Sequence, residues 1–245
     1  TVAKSGGDVT LNSPVAVRSI LTLTSGIVNT SNPAGLLTLL AGGTSVNASN
    51  ASFVNGPMQK IGNTNYLFPV GKGLVMRPCG VTGYGAASAA SGFIAEYFPI
   101  SAYTWGIPSE PTINHLSQCE YWTIDRSVGV ANPVVELTWL APNSCGVTLL
   151  PDLRVARWDN AASIWRDRGN GGATGVLGAG TIPTAAIQSL FNASPGPTPW
   201  TLASVSSENP LPISLVHFKA TPEGEVVRLE WVTASERDNA YFTIE

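Results

Sequence analysis

Four carboxylates, Glu96, Glu120, Asp125 and Glu136, fall in stretches that alternate apolar and polar residues. Glycosidic bond cleavage needs two carboxyl groups about 5–9 Å apart and facing each other, so convergence of these side chains would make a hydrolytic site. The plainer expectation is that carboxylates on strands point outward into water. Asp152, Asp159 and Asp167 lie near turns and offer oxygen ligands of the kind calcium takes, yet no Asp-x-Asn/Asp-x-Asn/Asp-Gly loop surrounds them. The chain has two histidines. His115 lies in Ile113-Asn114-His115-Leu116, His217 shares a strand face with Leu215 and Lys219, and neither stands beside a nucleophile. No Gly-x-Ser-x-Gly elbow precedes a helix, and no serine or cysteine has a recognisable base partner. The glycines of 169–175 lack the Gly-Lys-Ser/Thr ending and following helix of a phosphate loop, which makes them a strand connection. No catalytic residue, metal or cofactor is expected.

Seven tryptophans are the remaining chemistry-bearing residues. Trp122, Trp139, Trp158 and Trp231 sit inside alternating runs and read as core or sheet-face residues. Trp105, Trp165 and Trp200 lie nearer loops. A flat ring at a loop can stack on the apolar face of a sugar, and Trp105 with Tyr103 are the first candidates for a glycan contact.

The elements that must hold these residues are strands. With Gly 25 and Pro 18 among 245 residues, many Ser, Thr and Asn, and no sustained helical periodicity, the fold class is all-β. The Ala-rich run 83–92 reads as a loop because of its glycines and serines. Residues 1–60 carry short strands at 9–11, 15–23, 36–40 and 51–54 separated by turn residues, the pattern of an irregular β-solenoid; meandering strands at a sandwich edge fit as well. Cleaner alternation at 93–98, 120–125, 134–140 and 153–158 predicts four further strands. Pro210 and Pro212 favour extended backbone and make 206–212 a stiff linker. Beyond it, 215–220, 226–232 and 241–245 read as three strands of a fibronectin- or immunoglobulin-like sandwich, which needs about seven. Three strands leave an edge and a face uncovered, so Leu215, His217, Val227, Leu229, Trp231, Phe242 and Ile244 form the expected segment for strand pairing with another subunit.

Charged residues make up 12% of the chain, well under the quarter to third usual for a soluble surface. The C-terminal stretch 209–245 sets Lys219, Arg228 and Arg237 against Glu223, Glu225, Glu230, Glu236, Asp238 and Glu245, so it carries the whole net charge of −3. No basic patch exists to attract nucleic acid or anionic lipid, and no apolar run is long enough for a membrane-spanning helix. Cys79, Cys119 and Cys145 lack metal-ligand spacing. Cys119 precedes one expected strand and Cys145 follows another; a disulfide between them in an oxidising compartment and two free buried thiols both remain open.

Two passages carry a family resemblance, and Glu120-Tyr121-Trp122, Leu153-Arg154-Val155-Ala156-Arg157-Trp158 and Trp200-Thr201-Leu202-Ala203-Ser204 continue it over nearly the whole chain. Asn209-Pro210-Leu211-Pro212, Leu215, Phe218, Leu229, Trp231, Thr233-Ala234-Ser235-Glu236, Asn239, Phe242 and Ile244-Glu245 resemble the fibronectin-like module near the C-termini of large secreted proteins of Bacteroidetes, often just before a type IX secretion signal. Residues 53–58 (SFVNGPM without its first Ser), Phe68-Pro69-Val70-Gly71-Lys72 and Arg77-Pro78, after Leu21-Thr22-Leu23-Thr24-Ser25-Gly26-Ile27-Val28, are similar to the solenoid-to-sandwich part of the same proteins. Met76 stands where an aromatic residue is usual there and Cys79 where an aliphatic one is. The resemblance implies a central antiparallel β-sandwich over 61–205 and an extracellular or cell-surface location; low charge, all-β patterning and the lack of a catalytic constellation add the expectation of a non-enzymatic structural or adhesive role. Its expected partners are other copies of itself, other surface proteins, or glycans. Strand addition between subunits would make a filament; the alternative is a carbohydrate-binding module of a polysaccharide-acting protein.

Overall fold

The computed structural model describes residues 1–84, 90–141, 143–185, 191, 196–209, 215–224 and 226–233. It is all-β. In the N-terminal part the chain winds through three parallel ladders in turn. One stacks Val9–Thr10, Val28–Asn29, Val54–Asn55 and Val70–Lys72. Another stacks Val15–Val17, Leu37–Leu39 and Met58–Ile61, and the third Val2–Ala3, Ile20–Ser25 and Thr44–Val46. Register places like on like: Val9, Val28, Val54 and Val70 form one column. Beside it Asn55 donates to Asn29 Oδ1 at 2.7 Å and Asn29 to Asp8 Oδ2 at 3.3 Å. The strand expected over 15–23 is interrupted at Arg18-Ser19, because a coil that visits three sheets needs a corner there.

The ladder through Met58–Ile61 does not stop at the coils. That strand pairs parallel with Leu37–Leu39 on one side and antiparallel with Gly92–Phe98 on the other. It thereby joins a nine-stranded sheet running through Tyr121–Val128, Pro199–Ser204, Leu153–Asp159 and Ile164–Asp167. The division expected at residue 60 falls inside this strand, and one buried cluster extends from Leu21 to Leu202. A five-stranded antiparallel sheet, in the order Tyr66–Phe68, Cys79–Thr82, Val134–Leu140, Ala179–Pro183, Thr174–Val176, forms the second layer of a sandwich-like body. The glycine-rich stretch 169–175 connects strands across its edge.

Between the layers, Val81, Val135, Leu137, Trp139 and Ile182 are buried in one cluster with Phe93, Tyr97, Trp122, Val155 and Trp200. Trp165 and Trp200, expected near loops, are instead fully buried within strands. Four buried indole N–H groups find carbonyls: Trp122 that of Arg77, Trp139 that of Val176, Trp165 that of Gly106 and Trp200 that of Ile124, as burial of a donor demands.

The stretch expected as a stiff linker begins as part of the body. Asn209 is 4% exposed; its Oδ1 accepts the N–H groups of Thr148 and Leu149 at 3.2 and 3.0 Å, and its Nδ2 donates to Ser204 Oγ at 3.0 Å. Leu215–Glu223 and Val226–Thr233 then form an antiparallel hairpin around Gly224, at φ +66°. This two-stranded sheet pairs with no other described strand. Val226 and Val227 are more than half exposed, while Leu229 and Trp231 are half-buried. The expected strand at 241–245, with Phe242 and Ile244, lies outside the described residues, as do the side chains of Leu215 and His217.

Candidate functional site

Alternation in two neighbouring strands builds a cleft on the outer face of the large sheet. Gly92–Phe98 and Tyr121–Val128 turn Phe93, Ala95, Tyr97, Trp122 and Ile124 inward. The opposite phase sets Ile94 across from Asp125, Glu96 from Thr123, and Phe98 from Tyr121. These six residues floor a cleft of about 540 Å³.

The walls come from distant parts of the chain. After Phe98 the backbone folds back over the sheet through the short 3-10 helix Ala102–Thr104, capped by the Ser101 side chain on Tyr103 N at 3.2 Å. Trp105 follows and stands perpendicular to Tyr121, with centroids 6.1 Å apart; Tyr121 and Phe98 stack at 4.8 Å. Opposite, Thr30, Ser31, Asn32 and Pro57 form a polar wall, joined by Thr30 Oγ1 donating to the Pro57 carbonyl at 2.8 Å. A side chain on Gly56 would meet Thr30 O at 2.5 Å, so glycine permits this approach. Pro197 closes the end beside Asp125.

The cleft is therefore aromatic at one end and acidic along its floor. Lys72 Nζ pairs with Glu96 Oε1 at 3.1 Å and lies 5.6 Å from the Phe98 ring centre. Asp125 accepts the backbone N–H of Thr198, and its burial pushes the carboxyl up to about 6.

Of the four carboxylates, only Glu96 and Asp125 share this face. Glu120 is inside the sandwich, with no exposure, against the equally buried Arg77: Arg77 Nε lies 3.1 Å from Glu120 Oε2, which also accepts the Tyr97 hydroxyl at 3.0 Å. Arg77 Nη2 donates to Leu140 O and Ser144 Oγ, both at 2.7 Å. Burial outweighs the guanidinium and lifts Glu120 to about 7. Glu136 is on the other sheet, paired with Pro183. Trp105 lines the cleft, but Tyr103 does not; its hydroxyl accepts Leu116 N–H at 3.2 Å and braces the loop.

His115 is half-buried, with Nε2 2.6 Å from the Asn209 carbonyl and Nδ1 3.0 Å from Asn114 Oδ1, which makes it part of the linker anchor. Cys119 and Cys145 are joined in a disulfide across Cα atoms 5.8 Å apart, and Cys79 is a buried thiol. A cavity of about 20 Å³ beside Cys145, His115 and Asn209 has room for about one water. Asp159 holds Arg166 at 3.1 Å and the N–H groups of Ala161 and Ala162, and Asp167 caps Gly169 N. Among the described residues no three of His, Cys, Asp or Glu converge.

Sequence reasoning missed the Phe98–Tyr121 floor and the Thr30–Asn32 wall. Phe98 and Tyr121 were legible only as strand residues, although two aromatics in the otherwise polar phase of paired strands are themselves a signal of a covered outer face. The chain matches no known protein family model, curated protein or solved structure.

Proposed function

We propose that this chain is a binding module of a secreted surface protein, adhesive rather than enzymatic, and that its contact surface is the Trp105 cleft, which takes glycans. The observation carrying this reading is one open groove that joins the aromatic group Trp105, Tyr121 and Phe98 to the hydrogen-bonding groups of Glu96, Thr123, Asp125 and Asn32. Sugars present apolar ring faces flanked by hydroxyls, and such a surface meets both. Glu96 is engaged by Lys72 and Asp125 by Thr198, so both carboxyl groups are held in place to orient hydroxyls. The disulfide supports an oxidising compartment, and the resemblance to secreted Bacteroidetes surface proteins supports the same location. Replacing Trp105 with Ala should lower affinity for a glycan found by array screening about tenfold or more, with the thermal midpoint little changed; retained binding would overturn the assignment.

The hairpin favours a second reading for the same protein, assembly with other copies. Both outer edges of Leu215–Glu223 and Val226–Thr233 pair with no described strand, and an open edge offers backbone donors and acceptors to an added strand. Light scattering should then show mass increasing with concentration. A monomer at every concentration would remove the filament.

A further inference from the structure

The charged residues lining the cleft are both acids. Lys72 beside the cleft is already held by Glu96 and lies against Phe98, so the protein itself displays how this surface holds an ammonium: a carboxylate on one side, an aromatic face on the other. Asp125 is placed to repeat that arrangement with a ligand. It sits diagonally from Glu96, opposite Ile94 and beside Pro197. Among the described residues its hydrogen bonds come from Thr198, through the backbone N–H and the side chain, and it is paired with no cation. A carboxylate between apolar neighbours is poorly hydrated, so a cation brought by a ligand gains more there than on an open surface. Four residue rises of extended strand take Tyr121 to Asp125, about 14 Å, which places the aromatic end within reach of the same short oligosaccharide.

We infer that the cleft selects glycans bearing free amino groups, with an ammonium on Asp125 and a sugar ring against Trp105. This rests on the glycan reading above. Uronic acid glycans are disfavoured by the same charges, since a ligand carboxylate would face Glu96 and Asp125, and among the described residues that line the cleft there is no base to receive it.

The test is calorimetric binding, at near-neutral pH and low salt, of three probes of equal length: glucosamine oligomers, N-acetylglucosamine oligomers and oligogalacturonate. Glucosamine oligomers should bind about tenfold tighter than the N-acetylated ones, the scale of one charge-assisted hydrogen bond, and oligogalacturonate not at all. Asn at position 125 retains an oxygen for the Thr198 N–H, so Asp125→Asn should fold with a similar thermal midpoint and bring the ratio close to one. The preference should also weaken with added salt. Equal affinities in the wild type, a ratio that Asp125→Asn leaves intact, or tight oligogalacturonate binding overturns amine selection while the glycan site stands. If none of the probes binds and array glycans are also refused, the glycan reading itself falls.

Discussion

Replacing Arg77 with Met should cost about 3–5 kcal/mol above about pH 7, where Glu120 is ionised, because it strands a buried carboxylate. Glu120 is wholly enclosed and its Oε1 has no hydrogen-bond partner, so the guanidinium at 3.1 Å is its compensating charge. The same substitution unties Leu140 O and Ser144 Oγ. For a domain of this size a loss of that order lowers the midpoint by roughly 10 °C, measurable by thermal or urea denaturation. Replacing the pair together, Arg77→Met with Glu120→Leu, should recover most of the loss, as apolar replacements of buried ion pairs do. A single variant as stable as the wild type would show that the pair contributes nothing.

The pH profile carries the same signature. Glu120 binds its proton up to about 7 in the folded chain against an ordinary 4.5. Between those values the folded state holds more protons than the unfolded one, so stability falls as pH rises from about 4.5 to about 7 and then levels off. Asp125, lifted to about 6 from 3.8 by burial, adds to the lower part of that fall. Glu120→Gln should flatten the profile in its upper part.

Opening the Cys119–Cys145 disulfide, by reduction or by Ser at both positions, should cost about 3–4 kcal/mol on the loop-entropy account, given a separation of 26 residues. The bond ties the segment after Leu140 to the start of Tyr121–Val128, next to Ser117, whose Oγ accepts the N–H groups of Cys119 and Glu120 at 3.2 and 3.3 Å. Arg77 grips the same segment through Ser144. Reduction and Arg77→Met should therefore combine non-additively, since each loosens what the other holds. Alkylation after mild reduction should label two thiols and leave the third, because Cys79 is fully enclosed and burial raises its thiol far above the usual range. Identical melting with and without reductant would contradict the expectation.

How much of this was legible depended on which faces of each strand meet water. Val134–Leu140 could be read to the residue, because the inward Val135, Leu137 and Trp139 alternate with less enclosed neighbours. Pro199–Ser204 could not: all six residues are buried, since the main core covers one face and the cluster of Ala203, Trp158, Trp165 and Ile113 the other. With both faces covered, the alternation that marks a strand disappears. The cleft was half visible. Trp105 announced itself as an aromatic in a loop, but Thr30–Asn32 reaches the same groove through parallel stacking of coils, which no local pattern encodes. Arg77 and Glu120 each look like ordinary surface charges; only the sandwich brings them together. Asn209 looked like part of a linker, and three of its four polar contacts come from segments far away in sequence.

That anchor determines how mechanical load would travel. A pull on the hairpin reaches the body at Asn209, tied to Ser204 at the end of Pro199–Ser204 and to Thr148 and Leu149 just past the disulfide. Pro199–Ser204 lies inside the nine-stranded sheet, with Leu153–Asp159 on one side and Tyr121–Val128 and His115–Leu116 on the other. Tension along its axis must slide several rungs at once instead of peeling them singly, and the covalent rivet stops the adjoining loop from giving way first. A tether built this way yields in shear, the stiffest direction a sheet offers.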